Sequence, residues 1–148
     1  MKMEEYLKNI EDNNVSYWLY VRENLKPNDY VKLNTGEIIR SMNVSPIKGN
    51  KVYYANGDDC WFDISAVRNF SSNIIDLIEL GDLVRLFMED DIDKEDTNIF
   101  EVIAITDDKK EIGVFTSDFE IEFVPKENLR GIVTKEQFES MEYKLWMI

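Results

Sequence analysis

Apolar and polar positions along the chain fall into two similar series. Leu25-Lys26-Pro27-Asn28-Asp29-Tyr30-Val31-Lys32-Leu33 and Ile78-Glu79-Leu80-Gly81-Asp82-Leu83-Val84-Arg85-Leu86 align at a constant offset of 53 positions. Each has an apolar residue, a turn, an aspartate, and then apolar residues alternating with a base. This pattern predicts a turn feeding a strand with one buried face. A second match follows at an offset of 62: Val52-Tyr53-Tyr54 with Val114-Phe115-Thr116, Trp61-Phe62 with Phe123-Val124, and Val67-Arg68-Asn69-Phe70 with Leu129-Arg130-Gly131-Ile132. The change of offset implies nine extra residues in the second series, placed by this reading in the acidic stretch Met88 to Asn98. Two matches in the same order, separated by one loop insertion, point to an internal duplication.

Within each copy the pattern predicts four short strands. In the first they lie near 29–34, 37–43, 51–55 and 60–64, punctuated by Thr35-Gly36, Ser45 to Asn50 and Asn56-Gly57. Asn-Gly supplies the positive φ angles of a two-residue hairpin turn. In the second they lie near 82–88, 99–106, 111–117 and 120–124, punctuated by the acidic stretch, Asp107 to Lys110 and Ser117-Asp118. Phe119-Glu120-Ile121-Glu122-Phe123 alternates strictly, which predicts a buried apolar face and two acids in water. The matched aromatics Trp61 and Phe123 are expected in the core, as are Tyr53 and Phe115.

The ends read as helical. Tyr6, Leu7 and Ile10 have helical spacing, and Thr134-Lys135-Glu136-Gln137 has the form of a capping box opening a short helix. Glu142 to Ile148 reads as a possible returning strand. Val15 to Leu25 fits either period, with helix favoured for its second half. The expected fold is mainly β (α+β): two tandem SH3-like small β-barrel units packed together, with short N- and C-terminal helices. The organisation expected is an N-terminal helical or extended segment over 1–24, a first β-barrel-like repeat over 25–77, a second over 78–133, and a C-terminal helix and tail over 134–148. Units this small are marginal alone, so the two are expected to share support.

Composition adds constraints. The chain has 148 residues, 44% of them apolar, with three Trp, seven Tyr and eight Phe, too rich for a disordered chain. No apolar run approaches the ~20 residues of a membrane span. The opening residues carry acids and lack an apolar stretch, so they do not read as a secretory signal. The single Cys60 fits a reducing compartment, and a cytoplasmic location in a host cell is expected. Thirty acids against seventeen bases give a net charge of −13. Such a field repels phosphate backbones and anionic membrane surfaces, so neither direct nucleic-acid binding nor membrane binding is expected. It favours encounter with a basic protein surface, or serves solubility alone.

The chain holds no histidine, which removes the commonest general base and most zinc sites. Cys60, beside Trp61 in a strand pattern, reads as an inert thiol rather than a nucleophile. No Walker loop or dinucleotide-binding glycine pattern occurs. Read as a calcium loop from Asp91, the acidic stretch has Asp96 where a glycine is needed and Val102 where a bidentate glutamate is needed. No cofactor, metal or catalytic residue is therefore assigned. Asp58-Asp59 and Asp107-Asp108 read as turn acids. The candidate partner-binding residues are Glu89, Asp90, Asp91, Asp93, Glu95 and Asp96 in the acidic stretch, with Trp18 and Tyr20 outside the repeat.

Two phrases carry a resemblance. Ser72-Asn73-Ile74-Ile75-Asp76-Leu77-Ile78-Glu79-Leu80-Gly81-Asp82 and Gly131-Ile132-Val133-Thr134-Lys135-Glu136-Gln137-Phe138-Glu139 resemble phrases that recur in uncharacterised phage and prophage proteins of Firmicutes. The similarity spans roughly residues 28–145. The chain departs from the pattern at Met88-Glu89-Asp90-Asp91, where an Asn-Gly is usual. The resemblance implies a phage or mobile-element origin and raises the prospect of an inhibitor of host defence, such as an anti-CRISPR. The expected function is a non-enzymatic interaction protein that presents an acidic surface to a basic host or phage protein. A structural or assembly component of a phage particle is the alternative, and a carboxylate-based metal-dependent hydrolase a more distant one. The oligomeric state is left open.

Overall fold

The computed structural model describes residues 14–55, 59–87, 99–116 and 120–146. They are mostly β, and they divide into two compact units: unit 1 within Met1–Asn34 and Ile39–Ser72, unit 2 within Thr35–Ile38 and Asn73–Ile148. The anticipated helix at Met3 to Asp12, the Asn56-Gly57 and Ser117-Asp118 turns and the acidic stretch lie outside the described residues.

Unit 1 opens with helix α1 (Asn14–Asn24). Tyr17, Trp18, Val21 and Leu25 fall on one face at helical spacing and meet the core, while Leu19 is left 46% exposed. The competing strand phase would have buried Leu19 beside Tyr17. Strands follow at β1 (Tyr30–Leu33), β2 (Ile38–Arg40), β3 (Ile47–Lys48), β4 (Lys51–Tyr53), β5 (Trp61–Asp63) and β6 (Val67–Ser71), with a 3-10 turn at Ile64–Ala66. They form two three-stranded antiparallel sheets, β2-β1-β6 and β3-β4-β5, bridged between Ser41 and Tyr54. The stretch read as a plain turn, Ser45 to Asn50, contains β3. Val21, Leu25, Val31, Val52, Ile64 and Val67 form the core.

Unit 2 runs through β7 (Leu83–Leu86), β8 (Ile99–Ile105), β9 (Glu111–Phe115), β10 (Ile121–Pro125), a 3-10 turn at Lys126–Asn128, β11 (Leu129–Val133) and helix α2 (Lys135–Trp146). These strands make one five-stranded antiparallel sheet in the order β10-β9-β8-β7-β11, around a core that includes Ile75, Ile78, Val84, Leu86, Val102, Ile112, Val114 and Val124. The sheets of both units are open arrays of three to five strands, not closed barrels. Helix α2 runs through Trp146, so Glu142 to Trp146, read as a possible returning strand, are helical.

The two units repeat each other in detail. β1 pairs with β6 as β7 pairs with β11: Val31↔Phe70 matches Val84↔Ile132, and Leu33↔Val67 matches Leu86↔Leu129. Each ladder loops out one residue, Arg68 in unit 1 and Arg130 in unit 2. Ahead of each first strand sits a buried aspartate closing a turn on itself. Asp29 Oδ2 accepts from Lys26 N–H at 2.9 Å, and Asp82 Oδ2 accepts from Glu79 N–H at 2.8 Å. The turn needs a positive φ, supplied by Asn28 at 69° and Gly81 at 98°, residues that tolerate that region.

Register corrects the sequence alignment at one strand. Val52 pairs with Phe62 as Ile112 pairs with Val124, so β4 and β9 match at an offset of 60, not 62. Seven of the nine extra residues then lie between β7 and β9, and two between β9 and β10. Tyr53 consequently corresponds to Gly113 rather than to Phe115. The expectation that Trp61, Phe123 and Phe115 are core residues is also overturned. They are 44%, 47% and 54% exposed, and the inward position is the next one along, Phe62 and Val124. The strict alternation through Phe123 runs one residue out of the expected phase: Ile121 and Phe123 face solvent, and Val124 enters the core.

Candidate interaction surface

The outer face of unit 2 collects exposed apolar side chains. Val114, Ile112 and Val124 point inward, so their strand neighbours Phe115, Gly113, Ile121 and Phe123 point outward. Ile121 lies directly opposite Phe115, and Phe123 opposite Gly113. A Cβ on Gly113 would come within 3.0 Å of both the Phe123 ring and Ala104 Cβ, so the missing side chain is what lets that ring lie on the sheet. Ile121 is 52% exposed, and the acids Glu120 and Glu122, which alternate with Ile121 and Phe123 along the chain, are exposed on the opposite face of the strand.

The same sheet carries an open groove of about 430 Å³ beyond β8, lined chiefly by Leu83, Arg85, Ile99, Gly131, Val133 and Phe138. Register explains it: Arg85 lies opposite both Ile99 and Gly131, and Leu83 opposite Val133, all on the outward face. Gly131 leaves the floor bare, and Phe138 reaches over from α2. Among the described lining residues Arg85 is the one charged side chain.

Two other exposed rings among the described residues each have a cation near one face. Lys51 Nζ sits 4.4 Å from the Trp61 ring centroid, and the Arg130 guanidinium 5.6 Å from that of Phe87. Among the described residues no cation lies over Phe115, Phe123 or Phe138. The outer face of unit 2 thus differs in leaving its exposed aromatics without a cation partner among the described residues.

Of the sequence-nominated residues, Trp18 is half-buried against the core of unit 1. Tyr20 is half-buried too, its ring 5.7 Å from Phe70 and 6.4 Å from Tyr17. Glu89, Asp90, Asp91, Asp93, Glu95 and Asp96 lie outside the described residues. Sequence reading missed Phe115, Ile121 and Phe123 as surface residues because it assigned them inward. Val124 continues the apolar run past Phe123, and the pair leaves two phases that alternation alone does not decide between.

Among the described residues no group of three or more His, Cys, Asp or Glu is arranged to hold a metal ion. Among them, too, no helix is long and apolar enough to cross a membrane. Fold and surface together define a small β-rich protein of two related antiparallel units, one of which bears a bare apolar face. No protein-family model matches the chain, and none of the curated proteins or solved structures compared with it does.

Proposed function

We propose that this chain is a non-enzymatic binding protein, built on two related SH3-like units, that docks a basic protein surface through unit 2. The observation that carries the reading is the bare apolar outer face, Phe115, Ile121 and Phe123 together with the groove at Ile99 and Phe138, on a chain of net charge −13. Apolar side chains clustered in the open mark interaction sites more often than chance exposure does. The acidity selects the partner: complementary fields speed encounter with a basic surface and repel nucleic acid. In the phage setting implied by the Ser72 to Asp82 phrase, the partner is a host protein with a nucleic-acid-binding surface, and the chain acts as its competitor.

The test is capture from a Firmicutes cell lysate on the immobilised chain, alongside an Ile99→Ser/Phe138→Ser variant checked for an unchanged melting profile. A basic protein is expected on the column, released as salt rises from roughly 0.1 to 0.5 M because a Debye length shrinks below surface-charge spacing. The variant is expected to retain about tenfold less of it. Capture indifferent to both salt and variant would overturn the reading, and defined oligomers of the chain alone in sedimentation would favour an assembly component instead.

A further inference from the structure

The bare face ends at a strand edge. β10 is the last strand of the sheet order β10-β9-β8-β7-β11. At one end Thr116 N–H donates to the Glu120 carbonyl at 3.0 Å, and at the other Lys126 N–H donates to the Lys110 carbonyl at 3.0 Å. Antiparallel ladders alternate, so Glu120, Glu122, Val124 and Lys126 turn their backbone groups to β9. The N–H and C=O of Ile121 and Phe123 therefore point away from it, along an edge that no strand among the described residues of unit 2 pairs with. Pro125, with no N–H, closes the edge at its C-terminal end.

Unit 1 treats the matching strand differently. At the positions corresponding to Ile121, Glu122 and Phe123 it has Asp59, Cys60 and Trp61, the first an exposed acid and the last stacked under Lys51. An outward charge is a common guard against edge pairing. Unit 2 replaces that guard with isoleucine and leaves its phenylalanine bare.

The side chains on this edge specify what can pair with it. Glu120 and Glu122 are exposed on one face of the strand and Ile121 and Phe123 on the other. A strand laid alongside places residues directly opposite each of these. Its favourable partners are bases opposite the glutamates and apolar residues opposite Ile121 and Phe123. A second copy of β10 would bring glutamate to glutamate, adding repulsion between two chains each at −13.

We propose that β10 is a docking edge for an extended segment of alternating basic and apolar residues, which joins the sheet as an added strand. This rests on the binding role given above and names the contact within it. Backbone hydrogen bonds to Ile121 and Phe123 hold the segment, and the alternation sets its register.

The test uses the full chain, isotope-labelled, titrated with a synthetic heptapeptide alternating lysine with valine and followed by NMR. The amide signals of Ile121 and Phe123 are expected to shift, and their hydrogen exchange to slow at least about tenfold. Glu122→Lys is expected to weaken binding by about tenfold. Phe123→Pro is expected to abolish it while keeping the melting profile, since the nitrogen replaced makes no ladder bond. Should that variant unfold, a peptide N-methylated at the nitrogens facing β10 makes the same test on the unaltered chain and is expected not to bind. No exchange protection at millimolar peptide, or undiminished binding of the methylated peptide, overturns the proposal. The two readings separate cleanly. A captured partner sensitive to the Ile99/Phe138 variant but not to Phe123→Pro would leave the binding role intact and remove the edge from it. Edge protection by the peptide without any captured partner would do the reverse.

Discussion

Tyr17 shows how burial and a neighbouring ring set the chemistry of one side chain. Lys32 pairs with Asn69 and Leu33 with Val67, leaving Arg68 outside the ladder. The Arg68 carbonyl accepts the Tyr17 hydroxyl at 2.6 Å. Burial, and then the neighbouring Tyr20, push the Tyr17 pKa up to about 12 from 10.0. Because the folded pKa lies above the unfolded one, the stability linked to it is whole below pH 10 and is lost as pH rises from 10 towards 12. In an ultraviolet titration one tyrosine is expected to ionise about two pH units late, and Tyr17→Phe to remove that late step at a cost of about 1 kcal/mol at pH 7. Retention of the late step in the variant would assign it to another residue. None of this was legible in the sequence, where Tyr17 was one aromatic in an ambiguous run and Arg68 lay beyond the last strand predicted for its copy.

At the scale of elements, the N-terminus of α2 was the most legible feature. The capping box forms as its spacing predicts: Gln137 N–H donates to Thr134 Oγ1 at 3.3 Å, and Thr134 N–H donates to Gln137 Oε1 at 3.1 Å. What the spacing could not show is a third contact, Lys135 N–H donating to Asp82 Oδ1 at 2.9 Å. Asp82 is fully buried and so ties the turn before β7 to the start of α2. Thr134→Ala is expected to cost roughly 1 kcal/mol in urea unfolding. Asp82→Ala is expected to cost roughly 3 kcal/mol or more, since it strands two backbone donors inside the protein. Equal losses for the two variants would mean that Asp82 does not carry both ends. The outward phase of β10 was illegible for a related reason. Periodicity gives which residues share a face, and only the partner strands say which face is the inside.

For the whole molecule, the repeat was readable because its signature is local: a turn, a buried aspartate and a strand within nine residues. The division of unit 1 into two sheets was not, since it depends on the pairing of β3 through β5 across loops. Net charge is the other whole-molecule property. At −13, self-repulsion opposes the compact state, so raising sodium chloride from roughly 10 to 300 mM at pH 7 is expected to raise the melting temperature by a few degrees. A fall in melting temperature over that range would show that attractive pairs outweigh the excess of acids. Pro125 carries a last consequence. A sheet that recruits a strand normally presents a fresh edge in turn, which is how fibres grow. Here the proline stops pairing at one end, and two copies of β10 laid edge to edge bring glutamate opposite glutamate. The open edge is therefore a poor seed for pairing between copies of this chain, and the docking proposed for it needs a strand of different charge.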